Sequence, residues 1–379
     1  MFFKPEKKFN IKLQSPSKSL WSTFKKAYLI KKDFKKFWSK YNKKNLDPEL
    51  VSVTNKFINS DSANWVSKFW NHCQINHFKS IINLSSSDSI KKNINDYARH
   101  IYFQKSDLNE VCNQLKVNIN LLNFNVFKKH DHLTMFDSAS YNLSTAILYL
   151  RLQGLIEKYY DLINRKMFNK YSYNVDINNK KINQHFIYTI IELEKISKII
   201  DVEKNNLKIL EFGAGYGRTA NLFLSLSKKV KYVIADMPPS IFVSYNEIKT
   251  NYPDKKIFFA IDINDFKAME DAIEKNDVIF IFPHQLKFFN KKFFDLTMMI
   301  GVTLEMEPKV VERYMKYVDL LSNNLYMKVF KYAGLPFSFY KFYRHDVRDD
   351  YFIGKKWKKL FLETGMETDI VSHSGYKIE

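Results

Sequence analysis

Three glycines stand at every second position in the segment ILEFGAGYGRTA (209–220), and an acidic residue precedes them. They are Gly213, Gly215 and Gly217, and the acid is Glu211. The chain has only 9 glycines in 379 residues, so three within five positions indicate that the backbone requires glycine at this point. Glycine adopts positive φ readily and has no Cβ to block a ligand lying against the backbone. The run therefore predicts a sharp turn after a strand, at which a ligand lies on bare backbone.

A second acid, Asp236, ends the next apolar run, YVIAD, 25 residues beyond Glu211. A carboxylate at the tip of a second strand, beside the first loop, can accept hydrogen bonds from both hydroxyls of a ribose. The dinucleotide fingerprint G-x-G-x-x-G would need glycine at position 218, where Arg218 stands. The combination predicts an adenosine-containing ligand without a pyrophosphate. A tight turn beside a surface aspartate is the simpler alternative.

Short apolar runs alternate with helical stretches from about residue 184 onward. The predicted strands are LKILEF (207–212), YVIAD (232–236), KIFFAI (256–261), DVIFIF (277–282), FDLTMMI (294–300) and LYMKVF (325–330). This alternation predicts a mostly parallel sheet in a three-layer α/β fold. DVIFIF is favoured as the third strand because it directly precedes FDLTMM, with KIFFAI as the alternative. The tail after residue 356 is expected to form a helix, a glycine turn and a final strand or hairpin.

The first half of the chain has a different character, so two domains are expected, with a boundary near residues 180 and 181. Residues 1–180 are predicted to be a mainly helical N-terminal region that covers a substrate site or binds a partner. Between Trp21 and Lys44, aromatic residues at spacings of three and four alternate with lysines. This pattern predicts an amphipathic helix. Its aromatic stripe is expected to pack on the protein itself, and peripheral contact with an anionic membrane is the alternative. The polar segment 167–183 is expected to be a linker or loop.

The composition argues against a disulfide scaffold, a structural zinc site, a secretory signal and a membrane-spanning segment. Two cysteines, Cys73 and Cys112, lie far apart and outside any metal-ligand pattern, which suits a reducing compartment. The start of the chain has no apolar signal region, and the longest apolar runs are too short to span a bilayer. A cytoplasmic protein is therefore expected. The net charge of +20 would suit a protein that binds nucleic acid. However, Asn, Ile, Phe and Tyr are also abundant, and all of these residues, like Lys, have AT-rich codons. The excess of lysine is therefore interpreted as codon bias, with the lysines on an ordinary surface.

The segment ILEFGAGYGRTA, together with YVIADMPPSIFVSYNEI, resembles the first two motifs of class I S-adenosylmethionine-dependent methyltransferases. More narrowly, three stretches resemble the sugar O-methyltransferase family: Asp236-Met237-Pro238, IFPHQL (281–286) and FDLTMMIGVTLEM (294–306). The resemblance covers residues 185–379. It implies a Rossmann-like domain over residues 181–379 with a mostly parallel seven-stranded sheet, and S-adenosyl-L-methionine as the cofactor.

The resemblance also implies a set of cofactor-binding residues: Glu211, Gly213, Ala214, Gly215, Tyr216, Gly217, Asp236, Met237, Pro283, His284 and Gln285. The backbone around Ala214 would approach the methionine end of the cofactor, and Glu211 would face its amino group directly or through water. Asp236 would hold the ribose. Met237 would contact the adenine, and the loop 283–285 would cover its other side.

A sugar hydroxyl is a poor nucleophile at neutral pH, so its methylation calls for a base or a metal. The candidate bases are Glu305, His284 and His345, each near the C-terminal end of a strand or over the pocket. Each also has a structural alternative: Glu305 as a carboxylate near a helix start, His284 as a ring packed on adenine, and His345 as part of a solvated turn. No HxxxH or DxD cluster stands out, so no metal site is predicted, and the sequence leaves metal dependence open.

The acceptor is expected to be a small molecule or glycan, such as a nucleotide-linked sugar, and the basic surface would tolerate an anionic one. Methyltransferases that act on the amino groups of nucleic-acid bases usually carry an N/D-P-P-Y motif after the fourth strand, where this chain has GVTLEM. That difference disfavours a nucleic-acid substrate. Another small-molecule acceptor and a non-catalytic cofactor-binding scaffold remain alternatives, and the sequence leaves the oligomeric state open.

Overall fold

The computed structural model describes residues 34–44, 46–67, 153–163, 174–177, 180–227, 229–303, 306–330, 351–364 and 371–379. It also describes residues 70, 71, 74, 75, 78, 150 and 167. The described helices are α1 (Phe34–Lys40), α2 (Pro48–Ile58), α3 (Leu155–Tyr160), α4 (Gln184–Ser197), α5 (Arg218–Leu226), α6 (Ser240–Asn251), α7 (Phe266–Lys275) and α8 (Pro308–Leu321). Two 3-10 helices span Asp61–Trp65 and Pro283–Phe288.

The strands form a hairpin and a large sheet. The hairpin pairs β1 (Asn174–Ile177) with β2 (Lys180–Asn183). The large sheet contains β3 (Lys208–Phe212), β4 (Lys231–Ala235), β5 (Ile257–Phe259), β6 (Val278–Ile281), β7 (Leu296–Ile300), β8 (Asn324–Phe330), β9 (Trp357–Thr364) and β10 (Val371–Ile378). Its order is β5-β6-β4-β3-β7-β8-β10-β9. The prediction of a linker over 167–183 was thus wrong for its second half, because backbone pairing needs no apolar side chains.

The predicted mostly parallel sheet is confirmed. Strands β5, β6, β4, β3, β7 and β8 run parallel, and β10 pairs antiparallel with both β8 and β9. The implied count of seven strands was wrong, since eight strands make up the large sheet within the described residues. The extra strand arises because KIFFAI and DVIFIF both form strands. β6 lies beside β4, as expected for the third strand, and β5 adds outside it at the edge.

The segment after residue 356 was expected to begin with a helix, but it forms the edge strand β9. Trp357 is buried whereas Leu360 and Leu362 are exposed, as in a strand with one covered face. Pairing along the whole of β10 supplies the backbone hydrogen bonds. Pairing with this next strand of the chain overrides the helix propensity of a run rich in Lys, Leu and Glu.

Helices cover both faces of the sheet. Along β6, Val278 and Phe280 belong to one hydrophobic cluster, and Ile279 and Ile281 belong to the other. The first cluster includes side chains of α4, α5 and α6, and the second includes side chains of α7 and α8. Since successive strand residues point to opposite faces, these clusters are the two interfaces of a three-layer α/β fold.

The described part of the N-terminal region packs on the rest of the protein. In α1, Phe34 and Trp38 are buried, and their rings lie 5.5 Å and 4.9 Å from the ring of Phe78. The aromatic stripe thus packs on the protein itself over residues 34–41, as favoured from sequence. Residues 22–33 of the predicted helix lie outside the described residues, and the mainly helical character of residues 1–180 stays a prediction. Among the described helices, none combines the length and apolar character that crossing a bilayer requires.

Candidate functional site

The glycine run forms the turn between β3 and α5. Gly213, Gly215 and Gly217 have φ angles of 65°, 62° and 88°, the left-handed region that side chains with a Cβ rarely adopt. A Cβ on Gly213 would lie 2.8 Å from Cγ2 of Val302, so there is no room for a side chain there. The Gly213 N–H donates to the carbonyl of Ala235, which fastens the loop to the neighbouring strand. The backbone geometry matches the turn predicted from the sequence.

Asp236 follows β4 at the same edge of the sheet, because β3 and β4 are parallel and Phe212 pairs with Ala235. Its side chain is buried, and Oδ1 accepts the Met237 N–H at 2.7 Å. Oδ2 is also buried, and within the described residues it has no hydrogen-bond partner. A buried polar atom without a partner is rare in folded proteins and costs free energy. Oγ1 of Thr303 and Oδ1 of Asn324 are likewise buried without a partner among the described residues, so the orphan Oδ2 shows an open hydrogen-bond acceptor and not by itself a ligand.

The electrostatics of Asp236 follow from its burial. Burial raises the pKa of this carboxyl to about 7, although the N–H groups of Met237 and Gly215 oppose the shift. The nearby carboxyl of Glu211 adds a further rise in the pKa. At pH 8 the carboxylate is mostly ionised and hence ready to accept hydrogen bonds.

Replacing Asp236 by asparagine should stabilise the folded protein at high pH. The carboxyl pKa rises from 3.8 to about 7 on folding, so the ionised form destabilises the fold by about 2–4 kcal/mol. This penalty is absent below pH 4, grows as pH rises through the window between the two pKa values, and is complete above pH 7. In urea unfolding, the free energy of unfolding of Asp236→Asn should be higher than that of wild type at pH 8 and equal to it at pH 4. Asp271→Asn, at an exposed carboxylate, is the control, and a constant difference across pH would refute the buried-charge account.

Glu211 lies within β3, on the face of the sheet that α5 covers. It is buried, and Oε2 accepts the Tyr232 hydroxyl at 2.6 Å. Burial raises its pKa to about 7, while hydrogen bonds from Tyr232 and Thr219 and the charge of Arg218 oppose the rise. Two donors of the protein itself thus occupy this carboxyl, and the prediction that it faces the amino group of a ligand stays a prediction.

The loop after β6 is the 3-10 helix Pro283–Phe288. Pro283 is buried, and Met237, which follows the adjacent parallel strand β4, is buried as well. The Gln285 amide is committed to the backbone: Nε2 donates to the carbonyls of Ala260 and Ile263, and Oε1 accepts the Phe282 N–H. The Gln285 side chain thus stabilises the conformation of this loop. Since its amide is already hydrogen-bonded to the backbone, the predicted contact of Gln285 with a ligand would have to be made by the loop backbone.

Only one of the three candidate bases lies within the described residues. His284 is half-buried at this edge of the sheet, and Glu305 and His345 lie outside the described residues. Thr303, which was not predicted, follows β7 and is buried, and Oγ1 has no partner among the described residues. It adjoins Val302, which lies against Gly213. In the described segments, no group of three or more His, Cys, Asp or Glu residues is arranged to hold a metal ion.

A buried polar network between the glycine loop and α4 was not predicted from the sequence. Tyr216 and His185 are joined by a hydrogen bond of 2.5 Å between the hydroxyl and Nδ1. Arg218 donates to Thr189 and forms an ion pair with Glu192, which also pairs with Lys328. The members on α4 are His185, Thr189 and Glu192. Their spacing of four and three residues places them on one helix face, and this polar stripe in an apolar helix was the available signal.

The burial of His185 lowers its pKa to about 3, and the charge of Arg218 adds to this effect. The ring is therefore neutral at physiological pH. Tyr216, which was predicted to contact a ligand, is itself buried, and its hydroxyl is hydrogen-bonded to this ring. The side chain of Tyr216 thus anchors the glycine loop to α4, and its predicted contact with a ligand stays a prediction.

Comparisons with known proteins give fold-level likeness only. No family model and no curated protein matches the chain. One similar solved structure is the PH0226 protein from Pyrococcus horikoshii OT3, with 17% identity, a TM-score of 0.36, and coverage of 52% of this chain and 92% of that one. Another is magnesium protoporphyrin IX methyltransferase from Synechocystis with bound S-adenosylmethionine, at 9% identity, a TM-score of 0.35, and coverage of 66% and 100%.

A third is the N-methyltransferase NodS from Bradyrhizobium japonicum, at 10% identity, a TM-score of 0.33, and coverage of 49% of this chain and 93% of that one. With all three TM-scores below 0.5, these likenesses carry no argument about function. The features that bear on function are the residues at the sheet edge.

Proposed function

We propose that this protein is an S-adenosylmethionine-dependent methyltransferase. The observation that carries the proposal is the buried Oδ2 of Asp236, which lies beside the glycine loop and has no hydrogen-bond partner within the described residues. A scaffold without a ligand would gain nothing from such an atom, because leaving it unpaired destabilises the fold. A ribose with two adjacent hydroxyls supplies the donors that it lacks.

The residues present fit this cofactor. Asp236 would hold the ribose, the bare backbone from Gly213 to Gly215 would lie against the methionine portion, and Met237 and the loop 283–285 would border the adenine. When bound, the cofactor supplies a methyl group on a positively charged sulfur. The work of the protein is then to align the acceptor with that methyl group and to exclude water, which can provide much of the rate enhancement.

We further propose that the acceptor is a sugar hydroxyl, on a nucleotide-linked sugar or a glycan precursor. The resemblance of Asp236-Met237-Pro238, IFPHQL and FDLTMMIGVTLEM to the sugar O-methyltransferases supports this narrower proposal. A hydroxyl acceptor requires removal of its proton, for which Glu305, His284 and His345 are the candidates. A cytoplasmic location is part of the same proposal.

Direct binding and turnover test the proposal. In calorimetry at pH 8, the full chain should bind S-adenosylmethionine and its demethylated product, and should not bind NAD, whose pyrophosphate calls for the glycine that Arg218 replaces. Methyl transfer from radiolabelled cofactor is then measured on free sugars, sugar nucleotides and a duplex DNA. Transfer to a sugar supports the full proposal, and transfer to DNA alone would reject the sugar. Failure to bind either cofactor form would reject the methyltransferase itself.

A further inference from the structure

The N-terminal region contacts both loops that border the proposed adenine site. Ser62, in the 3-10 helix Asp61–Trp65, contacts His284 of the loop after β6. Gln74 donates from Nε2 to the carbonyl of Pro238, in the loop after β4, at 2.6 Å. Phe57 of α2 packs edge-on against Phe282, with 5.2 Å between the ring centres. Residues about 200 positions away in sequence thus hold the two loops in place.

The contacts of Ser62 bear on which ring nitrogen of His284 carries the proton. The buried Oγ of Ser62 lies 2.8 Å from the His284 backbone nitrogen and 2.8 Å from Nδ1 of the same residue. A backbone N–H can only donate, so Oγ is the acceptor in the first bond. Among the described residues, the only acceptor within reach of the Ser62 proton is Nδ1. If Nδ1 carried the ring proton, Oγ would accept twice and its own buried proton would have no acceptor among the described residues, so the geometry favours an accepting Nδ1 and a ring proton on Nε2.

The charges around the ring keep it neutral. Burial lowers the pKa of His284 below its usual value, and the charge of Lys287 adds to this shift. Asp61 opposes it, but its carboxylate is exposed and lies 3.8 Å from Nζ of Lys287. The ring is therefore mostly uncharged at pH 7 and above.

We propose that Ser62 is a positioning residue that holds His284 in the tautomer with its proton on Nε2. In this form the ring offers a donor at Nε2 and has no lone pair there to accept a proton, so His284 is excluded as the base through that atom. The neutral donor suits a hydrogen-bond acceptor of the ligand, such as a ring nitrogen of adenine. The identity of that ligand rests on the proposed function, whereas the tautomer does not.

The tautomer can be measured on the unliganded full chain labelled with ¹⁵N-histidine. In a two-bond ¹H–¹⁵N correlation spectrum at pH 8, His284 should show an unprotonated Nδ1 and a protonated Nε2, with its signals assigned by their loss in His284→Asn. Ser62→Ala should abolish this preference, and Ser62→Thr, which keeps the hydroxyl, should retain it. A protonated Nδ1 in wild type, or the same tautomer in Ser62→Ala, would overturn the proposal. The wild-type spectrum decides even if the alanine variant fails to fold.

Ligand affinity provides a second readout. The affinity for S-adenosylhomocysteine should fall about 5- to 10-fold in Ser62→Ala, on the order of one hydrogen bond, and Ser62→Thr should restore it. Ser60→Ala is the matched control, because the Ser60 hydroxyl donates to the carbonyl of Phe57 and does not contact His284. Unchanged affinity in Ser62→Ala would overturn the link between the serine and the ligand. If wild type binds no cofactor, the proposed function fails, while the spectrum still decides the tautomer.

Discussion

Replacing Asp236 by alanine is expected to weaken binding of S-adenosylhomocysteine by about 10- to 150-fold, or about 1.5–3 kcal/mol. The reason is that Oδ2 is buried with no partner among the described residues, so hydrogen bonds from ribose hydroxyls to this charged group form in a dry environment. Calorimetry at pH 8 measures the change, because at that pH a carboxyl with a pKa of about 7 is mostly ionised.

The control for this experiment is Asp271→Ala. Asp271 lies on α7, where it is exposed and 3.8 Å from Lys275. Its removal should leave the affinity unchanged, since exposed ion pairs contribute little. If Asp236→Ala binds the ligand as tightly as wild type, the assignment of Asp236 to the ribose is wrong, even if the protein binds the cofactor elsewhere.

Replacing Glu192 by alanine is expected to destabilise the protein by about 3–5 kcal/mol. Glu192 is fully buried on α4, where it pairs with Arg218 at 2.8 Å and with Lys328 at 2.9 Å. Without it, the buried guanidinium of Arg218 loses the carboxylate that compensates its charge. Urea unfolding at pH 7 measures the loss. Arg218 is the first residue of α5, so the glycine loop should also lose its anchor and cofactor affinity should fall with stability.

The matched control is Glu312→Ala, which removes an exposed carboxylate that pairs with Lys316 along α8. Its expected effect is within about 0.5 kcal/mol. A similarly small effect for Glu192→Ala would mean that water compensates the Arg218 charge and that the network is not buried in solution. The pKa of Glu192 is lowered because Arg218 and Lys328 outweigh the opposing effect of its burial. Its contribution is therefore present at neutral pH and is lost only as pH falls through that lowered pKa.

The features that could be predicted from sequence are those with a local cause. Positive φ angles at Gly213, Gly215 and Gly217 follow from a turn that is contained in five residues. Asp236 could be placed beside them because the carboxyl ends of adjacent parallel strands meet at one edge. The alternation of strands and helices likewise gave the parallel part of the sheet.

The features that could not be predicted depend on partners distant in sequence. Ser62 and His284 are 222 positions apart, and no periodicity connects them. The contact of Lys328 with Glu192 spans 136 positions. β9 was misassigned for a different reason: its own composition favours a helix, and its strand structure comes from pairing with β10, the next strand along the chain. Local patterns thus located the glycine loop and its acid, while the polar contacts that hold them required the folded chain.

The most direct test of the central claim is a crystal structure of the full chain with S-adenosylhomocysteine. The account predicts that a ribose hydroxyl lies within hydrogen-bonding distance of Asp236 Oδ2 and that the amino-acid portion lies against the backbone of Gly213 and Gly215. A ligand bound elsewhere, with Asp236 Oδ2 still without a donor, would contradict it.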